Sequence, residues 1–462
     1  MKNHYFLNLR ITLSILTVLL AGTVYSCTPP EKEPALSIEP SVASIVFSPD
    51  GKTVTANGQE ISATFSVNTN QDEWSVELSE KDSWLKFHED NNKFTLSAEV
   101  NERFDNRGPI TVTVKSGNAT QVTISVTQTG SEKPEHNIYI SGMAETRDYD
   151  WVPALWTNGE LKILANDEDI ILTGIGLSNH GPYLSAVRET DYGEQAIYWN
   201  NGSFRELPGN GFASGAIGVG IVGEDIYMGG LLIDYEEFIT YPVYWKNGTM
   251  HALPVSGIPG AEYMVKGITV SGSDVYVFGT AYDYHADAVG HFPVYWKNGQ
   301  INYVGTTAYE DVLVTDMAVD GSDIYILGAY DDDSGSIHGG YWKNDQYVAL
   351  DSPGREAVPY AIEAHGGDVY IVGVTESSSS EMAVYWKNGT MNILDNSGAA
   401  LDIAICEGHV YVLGIAYLEG EDGDMEQLCY WLDGANRVDI TGMVADLWEA
   451  LYFPPHIVVE VK

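Results

Sequence analysis

One hexapeptide recurs along this chain and constrains its fold more than any other feature. VYWKNG occurs at Val243–Gly248, Val294–Gly299 and Val384–Gly389. Near-copies begin at Ala154 (ALWTNG), Ile197 (IYWNNG), Gly340 (GYWKND) and Cys429 (CYWLDG). The period of roughly 45 residues indicates a repeat architecture rather than a set of unrelated motifs.

A second motif keeps the same period, as in DVYVFG around Tyr276 and DIYILG around Tyr325. Each period reads as four short strands, and the third and fourth strands are joined by Asn-Gly, a strong hairpin signal. Four antiparallel strands repeated seven times predict a seven-bladed β-propeller over residues 138–462. The first repeat lacks its first strand, so we expect Ile457–Val461 to supply it and close the ring.

Residues 35–130 carry a different pattern, with alternating Val, Ile, Thr and Ser in segments such as ITVTVKSG and QVTISVTQTG. This alternation predicts a small β-sandwich with an Ig-like arrangement. Trp74 and Trp84 lie beside alternating apolar positions, so we expect them in the sandwich core rather than on a sugar platform. Residues 131–137 then form a linker.

The motifs of this segment resemble a BACON domain: Asn68-Thr69-Asn70, Trp74, Trp84-Leu85, Arg107 and VTISVTQTG. The family was named for a suspected carbohydrate-binding role, and its members often serve as spacers. The resemblance therefore implies either a sugar site or a spacer in this segment. The later repeats resemble the extracellular WxNG…L repeats of secreted bacterial proteins, and they lack the sialidase and kelch signatures.

The first 26 residues combine Lys2 and Arg10 with an apolar run too short for a membrane span. The run ends in Val24-Tyr25-Ser26-Cys27, which resembles a bacterial lipobox, although Tyr25 departs from the preferred small residue. That resemblance implies cleavage before Cys27, lipidation of Cys27 and a tether over residues 27–34. It also implies a Bacteroides-type surface lipoprotein that is anchored in the outer membrane by lipid.

The formal net charge of -42 excludes two classes of partner. Nucleic acid and anionic membrane surfaces would be repelled, so we expect membrane contact only through the lipid. The same charge also keeps an exported protein soluble.

Sequence variety is concentrated in the loops between the second and third strands and between repeats, which a propeller collects on one face. These loops are acidic and also aromatic, as at Tyr149, Trp151, Tyr235 and Tyr284. Carboxylates beside aromatic rings suit a glycan ligand, but acidic loop tips can also be merely solvated. Asp331 and Asp333 are a candidate calcium site, because alternate oxygens can coordinate that ion.

The inner strands offer a second candidate site. Aligned on the repeated Tyr, one position carries Asp316 and Asp402 among small residues, and the preceding position carries Lys266 and Tyr360. These four side chains predict either a polar pocket in a central funnel or a water-filled channel.

No catalytic motif emerges, and we assign no catalytic residue and no cofactor apart from the candidate calcium. We therefore predict a non-catalytic surface module that binds a glycan or a surface protein of an outer-membrane uptake complex. The alternatives are a polysaccharide hydrolase or lyase, and a scaffold for protein contacts. Cys406 and Cys429 are expected to be buried free thiols, since they fall on strands separated by a third.

Overall fold

The computed structural model describes residues 32–80, 83–146, 150–255, 261–283, 290–305, 311–331, 336–353, 355–377, 380–420, 423–440 and 454–462. Regular structure in these ranges is β-strand alone, so the predicted all-β class is confirmed. No helix in them is long and apolar enough to cross a membrane. Two compact units are present, one over residues 1–101 and 106–129 and the other over 102–105 and 130–462. Cys27, Tyr149, Tyr284 and Asp333 lie outside the described residues.

Unit 1 contains two sheets. Its strands are β1 (Leu36–Glu39), β2 (Ser44–Phe47), β3 (Val54–Ala56), β4 (Gln59–Ile61), β5 (Thr64–Thr69), β6 (Ser75–Leu78), β7 (Leu85–Asp90), β8 (Lys93–Ala98), β9 (Arg107–Lys115) and β10 (Val122–Gln128). They form a four-stranded sheet in the order β1-β5-β8-β7 and a six-stranded sheet in the order β4-β3-β2-β10-β9-β6. β2 and β10 pair in parallel.

The core of unit 1 is built from the alternating apolar positions, including the fully buried Phe65 and Phe94. Trp74 and Trp84 are half-buried and pack against this core. The Trp74 ring lies 6.3 Å from that of Phe94, and the Arg107 guanidinium lies 4.8 Å from the Trp84 ring centre. Both tryptophans therefore contribute to packing, as their place in the alternation predicts.

Unit 2 contains seven four-stranded sheets in its described residues. Sheet 1 includes β11 (His136–Glu145), β12 (Trp151–Thr157) and β13 (Glu160–Ile163). Sheet 2 is β14 (Ile170–Ser178), β15 (Gly181–Arg188), β16 (Gln195–Asn200) and β17 (Ser203–Glu206). Sheet 3 is β18 (Ala213–Val222), β19 (Asp225–Asp234), β20 (Ile239–Lys246) and β21 (Thr249–Ala252). Sheet 4 is β22 (Glu262–Ser271), β23 (Asp274–Asp283), β24 (Gly290–Lys297) and β25 (Gln300–Tyr303).

The remaining strands form sheets 5, 6 and 7 and the fourth strand of sheet 1. Sheet 5 is β26 (Asp311–Asp320), β27 (Asp323–Asp331), β28 (Ile337–Lys343) and β29 (Gln346–Ala349). Sheet 6 is β30 (Glu356–His365), β31 (Asp368–Ser377), β32 (Ser380–Lys387) and β33 (Thr390–Asp395). Sheet 7 is β34 (Gly398–Cys406), β35 (His409–Gly420), β36 (Gly423–Leu432) and β37 (Asn436–Asp439). The last strand, β38 (His456–Val461), pairs antiparallel with β11 and completes sheet 1.

The first strands of successive sheets contact one another from β14 through β18, β22, β26 and β30 to β34. β34 contacts β38, and β38 contacts β14, so the contacts return to their starting point. Unit 2 is therefore a β-propeller whose inner strands are β38, β14, β18, β22, β26, β30 and β34.

The Asn-Gly pair, which is Asn344-Asp345 in sheet 5 and Asp433-Gly434 in sheet 7, forms the turn between the third and fourth strands. In sheet 4, Asn298 and Gly299 have φ of 49° and 80°, the left-handed conformation that such a hairpin turn requires. Asn298 Oδ1 accepts a hydrogen bond from Val275 N at 3.0 Å, and its Nδ2 donates to Asp274 Oδ1 at 2.8 Å. The asparagine thus ties this turn to the start of the second strand.

The lysine of the hexapeptide is bound at the same corner. Lys297 Nζ lies 2.8 Å from Asp274 Oδ2 and 5.2 Å from the centre of the Tyr276 ring. The hydrogen bond from Lys297 holds the pKa of Asp274 below its ordinary value. The same lysine, aspartate and tyrosine recur as Lys246, Asp225 and Tyr227, as Lys343, Asp323 and Tyr325, and as Lys387, Asp368 and Tyr370.

The tryptophan of the hexapeptide is buried in every sheet, with at most 5% of any of the seven side chains exposed. In sheet 4, Trp296 Nε1 donates to Pro254 O at 2.8 Å, which ties the sheet to the connection that precedes it. Each buried ring removes about 150–250 Å² of surface from water. The hexapeptide is therefore one structural part used repeatedly.

Two sequence expectations need correction in detail. The inner strands have nine or ten residues in sheets 2–7 rather than about five, because each continues past a β-bulge. Cys429 is a buried free thiol as predicted, whereas the free thiol Cys406 is only half-buried. Cys406 is the last residue of β34, next to the turn at Glu407 and Gly408.

We predict that Trp296→Ala lowers the free energy of unfolding by about 3–5 kcal/mol, because it leaves a cavity in a fully buried site. Guanidinium-induced unfolding followed by circular dichroism measures this change. Val348→Ala, at a side chain with 36% exposure, is the control and should change stability by about 0.5 kcal/mol or less. Equal effects of the two substitutions would contradict the structural role of the tryptophan.

Candidate functional site

The four predicted funnel residues occupy equivalent places on the inner strands. The pairing between first and second strands skips one residue in each of sheets 2–7, and Lys266 and Tyr360 are two of the residues skipped. Asp316 and Asp402 directly follow the skipped residues of β26 and β34. The position of Asp316 and Asp402, which we call the ring position, therefore lies at a repeated feature of the backbone, a β-bulge in the middle of each inner strand.

Asp316 connects sheet 5 to sheet 6. Its Oδ1 accepts a hydrogen bond from Met317 N at 2.7 Å, and its Oδ2 accepts one from Ile362 N of β30 at 2.8 Å. Hydrogen bonds from backbone N–H groups to a carboxylate are among the stronger ones in proteins. This side chain therefore joins two neighbouring inner strands.

Asp402 makes the equivalent connection between sheet 7 and the last strand. Its Oδ1 accepts from Ile403 N and its Oδ2 from Ile457 N of β38, both at 2.8 Å. The Oδ2 atom also lies 3.3 Å from His456 Nδ1. Both oxygens of each aspartate are thus bound within the ring, which gives the pair a structural role, while their role in ligand binding stays a prediction.

Sheets 2 and 3 are joined without a carboxylate because their backbones approach closely. A Cβ atom on Gly174 would lie 2.7 Å from the Cα of Gly218, so no side chain fits between these strands. Thr173 Oγ1 donates to Ala216 O at 2.6 Å instead. The glycines and the aspartates of the ring position are therefore two ways of joining adjacent inner strands.

Two titratable residues at this ring were not identified from the sequence. Glu363 lies on β30 two residues after the ring position, where the other inner strands of sheets 2–7 carry Gly, Thr or Ala, so extending the alignment by two positions would have found it. His456 pairs with Ser141 just as Asp316 pairs with Leu327, which makes it the ring residue of sheet 1. It was missed because the closing strand was predicted to begin one residue later, at Ile457, whereas β38 begins at His456.

Burial and mutual proximity shift the pKa values of Asp316, Glu363 and His456. Burial raises the pKa of Glu363 to about 8, and the charges of Asp316 and Asp402 add to the shift. Burial also raises the pKa of Asp316, to about 7. Burial alone would lower the pKa of His456, but the hydrogen bond and charge of Asp402 raise it overall. Glu363 and Asp316 therefore titrate near neutral pH.

Lys266 lies apart from this acidic group, and burial lowers its pKa. No group of three or more His, Cys, Asp or Glu among the described residues could hold a metal ion. Asp331 lies exposed at the end of β27. Its predicted calcium partner, Asp333, lies outside the described residues, so the calcium site stays a prediction.

The loop face, where the second strand joins the third and each sheet joins the next, carries a row of glutamates at sheet 6. Glu356, Glu376 and Glu381 are direct cross-strand neighbours on β30, β31 and β32. Like charges in this arrangement destabilise a sheet. Burial, followed by the charges of Glu381 and Glu356, raises the pKa of Glu376.

Two tyrosines lie beside this row. Tyr417 OH donates to Glu381 Oε2 at 3.2 Å. Burial, followed by the charges of Glu376 and Glu381, raises the pKa of the predicted site residue Tyr360. The row therefore adjoins the funnel position that the sequence indicated.

A cleft of about 710 Å³ opens between sheets 5 and 6 at the loop face. Its lining is mostly polar and consists of Ser336, Ile337, His338, Gly339, Ala349, Leu350, Ser352, Arg355, Glu356, Ala357 and Glu376. Two of the three glutamates of the row line it. A volume of this size suits a small ligand or a few sugar residues.

The remaining predicted aromatic residues differ in their surroundings. Trp151 is half-buried and packs against the core of sheets 1 and 7. Tyr235 is half exposed, and its hydroxyl donates to Glu194 Oε2, a hydrogen bond that raises the pKa of Tyr235 to about 12. Trp151 and Tyr360 pack against the same apolar core, whereas the Tyr235 hydroxyl is bound to Glu194.

Comparison with known proteins gives no family. No family model matches the chain, and no curated protein matches it. Among solved structures, the β-propeller domain of the Trilobed protease from Pyrococcus furiosus is 10% identical with a TM-score of 0.41, and the match covers 79% of this chain and 100% of that one.

Two further structures are similar at the same level. The acylaminoacyl peptidase of Pyrococcus horikoshii is 13% identical with a TM-score of 0.44, over 67% of this chain and 51% of that one. A DUF4784 family protein from Bacteroides caccae is 10% identical with a TM-score of 0.30, over 92% of this chain and 98% of that one. Similarity this low transfers no activity to this chain.

We predict that the inner ring makes the protein less stable as pH rises through neutrality. Between about pH 4.5 and pH 8 the folded Glu363 keeps a proton that the unfolded chain has lost, and Asp316 acts in the same direction up to about pH 7. The stability from this proton binding is complete below the unfolded pKa and is lost as pH rises through the folded value. We expect a loss of roughly 3–5 kcal/mol between pH 5.5 and 8.5, because each pH unit between the unfolded and folded pKa values costs about 1.4 kcal/mol per group.

Urea unfolding at several pH values tests this, with Glu363→Gln as the variant. The variant should flatten the pH profile, because it removes one titrating group and one charge beside Asp316. Glu206→Gln, at an exposed position outside the ring, is the control and should keep the wild-type slope. A Glu363→Gln profile parallel to that of the wild type would contradict the assignment.

Proposed function

We propose that this chain is a lipid-anchored surface protein of the outer membrane that binds a glycan and is not an enzyme. The lipobox-like sequence at Cys27 and the apolar segment before it support the anchor. The two sheets of unit 1 and its BACON-like motifs support an Ig-like spacer domain, and the seven sheets of unit 2 support a complete seven-bladed propeller.

The cleft between sheets 5 and 6 is the proposed glycan site, and its polar lining is the observation that carries the proposal. Glu356 and Glu376 line this cleft and are cross-strand neighbours. Neighbouring like charges destabilise the sheet when no ligand is bound. Carboxylates are, however, good hydrogen-bond acceptors for the hydroxyl groups of a sugar. A bound glycan would therefore separate the charges and supply donors to them.

The neighbouring phenols complete this arrangement. Tyr417 already donates to Glu381, which fixes the outer member of the row. Tyr360, a skipped residue of the inner strand, lies close enough to Glu376 and Glu381 for their charges to raise its pKa. We propose that a sugar ring enters from the loop face and makes its polar contacts between Glu376 and the cleft wall.

Affinity gel electrophoresis of the protein against a panel of soluble neutral and acidic polysaccharides tests this function. We expect retardation by at least one neutral polysaccharide and a loss of affinity of roughly tenfold in Glu376→Gln, because one hydrogen-bond acceptor is replaced by an amide. Glu262→Gln is the matched control, since Glu262 begins β22 just as Glu356 begins β30.

The outcomes separate the candidate functions. Retardation that Glu262→Gln leaves intact and Glu376→Gln abolishes supports the cleft. Release of reducing ends from a retarding polysaccharide would show a hydrolase instead. Migration unaffected by every polysaccharide in the panel would overturn glycan binding.

A further inference from the structure

A second surface on the loop face is apolar rather than polar. It consists of Tyr192, Phe212, Tyr235, Phe238, Ile239 and Tyr241, and we call it the aromatic patch. The exposed fractions of these side chains are 94%, 40%, 50%, 78%, 39% and 37%. Exposed apolar side chains that cluster inside a polar rim mark interaction surfaces, whereas single ones need no explanation.

Local hydrogen bonds hold the patch in place on sheet 2. Tyr192 N donates to Thr190 Oγ1 at 3.2 Å, and Gly193 N donates to Thr190 O at 3.1 Å. The Tyr235 ring closes over the same turn, since a Cβ on Gly193 would lie 3.0 Å from its Cε2 atom. Tyr192 therefore projects from a turn whose backbone is fixed.

The hairpin between β19 and β20 presents Phe238. Asp234 Oδ1 accepts hydrogen bonds from Glu236 N at 2.9 Å and Glu237 N at 3.1 Å, which order the turn. Phe238 then has a φ of 56°, a left-handed conformation that is unfavourable for a bulky side chain. The hairpin thus holds an aromatic ring largely in solvent at a cost in conformational energy.

The third part of the patch joins these loops to the sheet. The rings of Phe212 and Tyr241 lie 5.8 Å apart, and Thr240 Oγ1 donates to Tyr263 O of the neighbouring sheet at 2.8 Å. Phe212 therefore packs against Tyr241 of sheet 3, and Tyr235 links the Tyr192 turn to the Phe238 hairpin through its hydrogen bond to Glu194.

The rim of the patch has one sign of charge. The three segments that carry the patch, residues 189–194, 208–214 and 234–241, contain six acidic residues and no Lys, Arg or His. These are Glu189, Asp191, Glu194, Asp234, Glu236 and Glu237. A complementary surface must therefore bring positive charge around an apolar centre.

We propose that the aromatic patch is a docking surface for a partner protein that inserts apolar side chains ringed by Lys and Arg. The patch has the composition of an interface centre, rich in Tyr and Phe, with charge only at its edge. A second copy of this chain does not fit, because it would bring the same acidic rim and a net charge of -42. A glycan fits less well than an apolar side chain at the centre of the patch, because Phe212, Phe238 and Ile239 offer hydroxyl groups no hydrogen-bond partner there.

Panning a random 12-residue peptide phage library on the intact protein, with counter-selection on a Tyr192→Ala/Phe238→Ala double variant, tests this proposal. We expect enriched peptides in which Lys or Arg flanks aromatic or aliphatic residues. Synthetic copies of them should lose at least tenfold in affinity on the double variant and should weaken as salt concentration rises.

Ile393→Ala is the matched control, because Ile393 is 49% exposed and lies on sheet 6, outside the patch. The control should keep wild-type affinity, and unchanged thermal unfolding of the double variant shows that its fold is intact. Peptides without basic residues, peptides that bind the double variant equally, or no enrichment would each overturn the proposal. Polysaccharide retardation lost in the double variant would show that the patch binds glycan instead.

Discussion

The pairing of β38 with β11 is the interaction on which the rest of unit 2 depends. A ring of sheets packs the faces of each sheet against its neighbours only if the first and last sheets also meet. The last six-residue strand returns to the first sheet, and the Asp402 carboxylate binds the Ile457 N–H beside that pairing. The same kind of bond, donated by Ile362 N to the Asp316 carboxylate, joins sheets 5 and 6.

This arrangement separates structural residues from those available for binding. The residues that repeat, such as Trp296, Lys297 and Asn298, are bound to one another or buried, and they form the turns and the packing between sheets. The residues that vary lie on the loop face, where sheet 6 has a polar cleft and sheets 2 and 3 have an apolar patch. We propose glycan binding at the cleft and protein docking at the aromatic patch, because the cleft is polar and the patch is apolar.

Much of the fold follows from periodicity alone. The hairpin at Asn298-Gly299 and the burial of Trp296 follow from a turn preference and a large apolar ring, which are local properties. The ring position was also found at the right residues, since Lys266 and Tyr360 are skipped in the strand pairing. Position in a repeat is thus enough to place a residue on an inner strand.

The partners of those residues could not be predicted in the same way. The sequence does not show any partner for the carboxylates of Asp316 and Asp402. Only the positions of β30 and β38 in the structure show which backbone N–H groups donate hydrogen bonds to them. His456 was missed because the closing strand was predicted to begin one residue later, at Ile457. The glutamate row depends on the register between three strands, which the repeat pattern alone does not give to within one residue.

Hydrogen–deuterium exchange of the segment 456–462 in the intact protein tests the closure of the ring most directly. If β38 completes sheet 1, its hydrogen-bonded amides exchange as slowly as those of β26, the inner strand of sheet 5, and both become exposed together in denaturant. If the segment exchanges within seconds while β26 stays protected, β38 does not close the ring, and the pairing with β11 is not what holds the first and last sheets together.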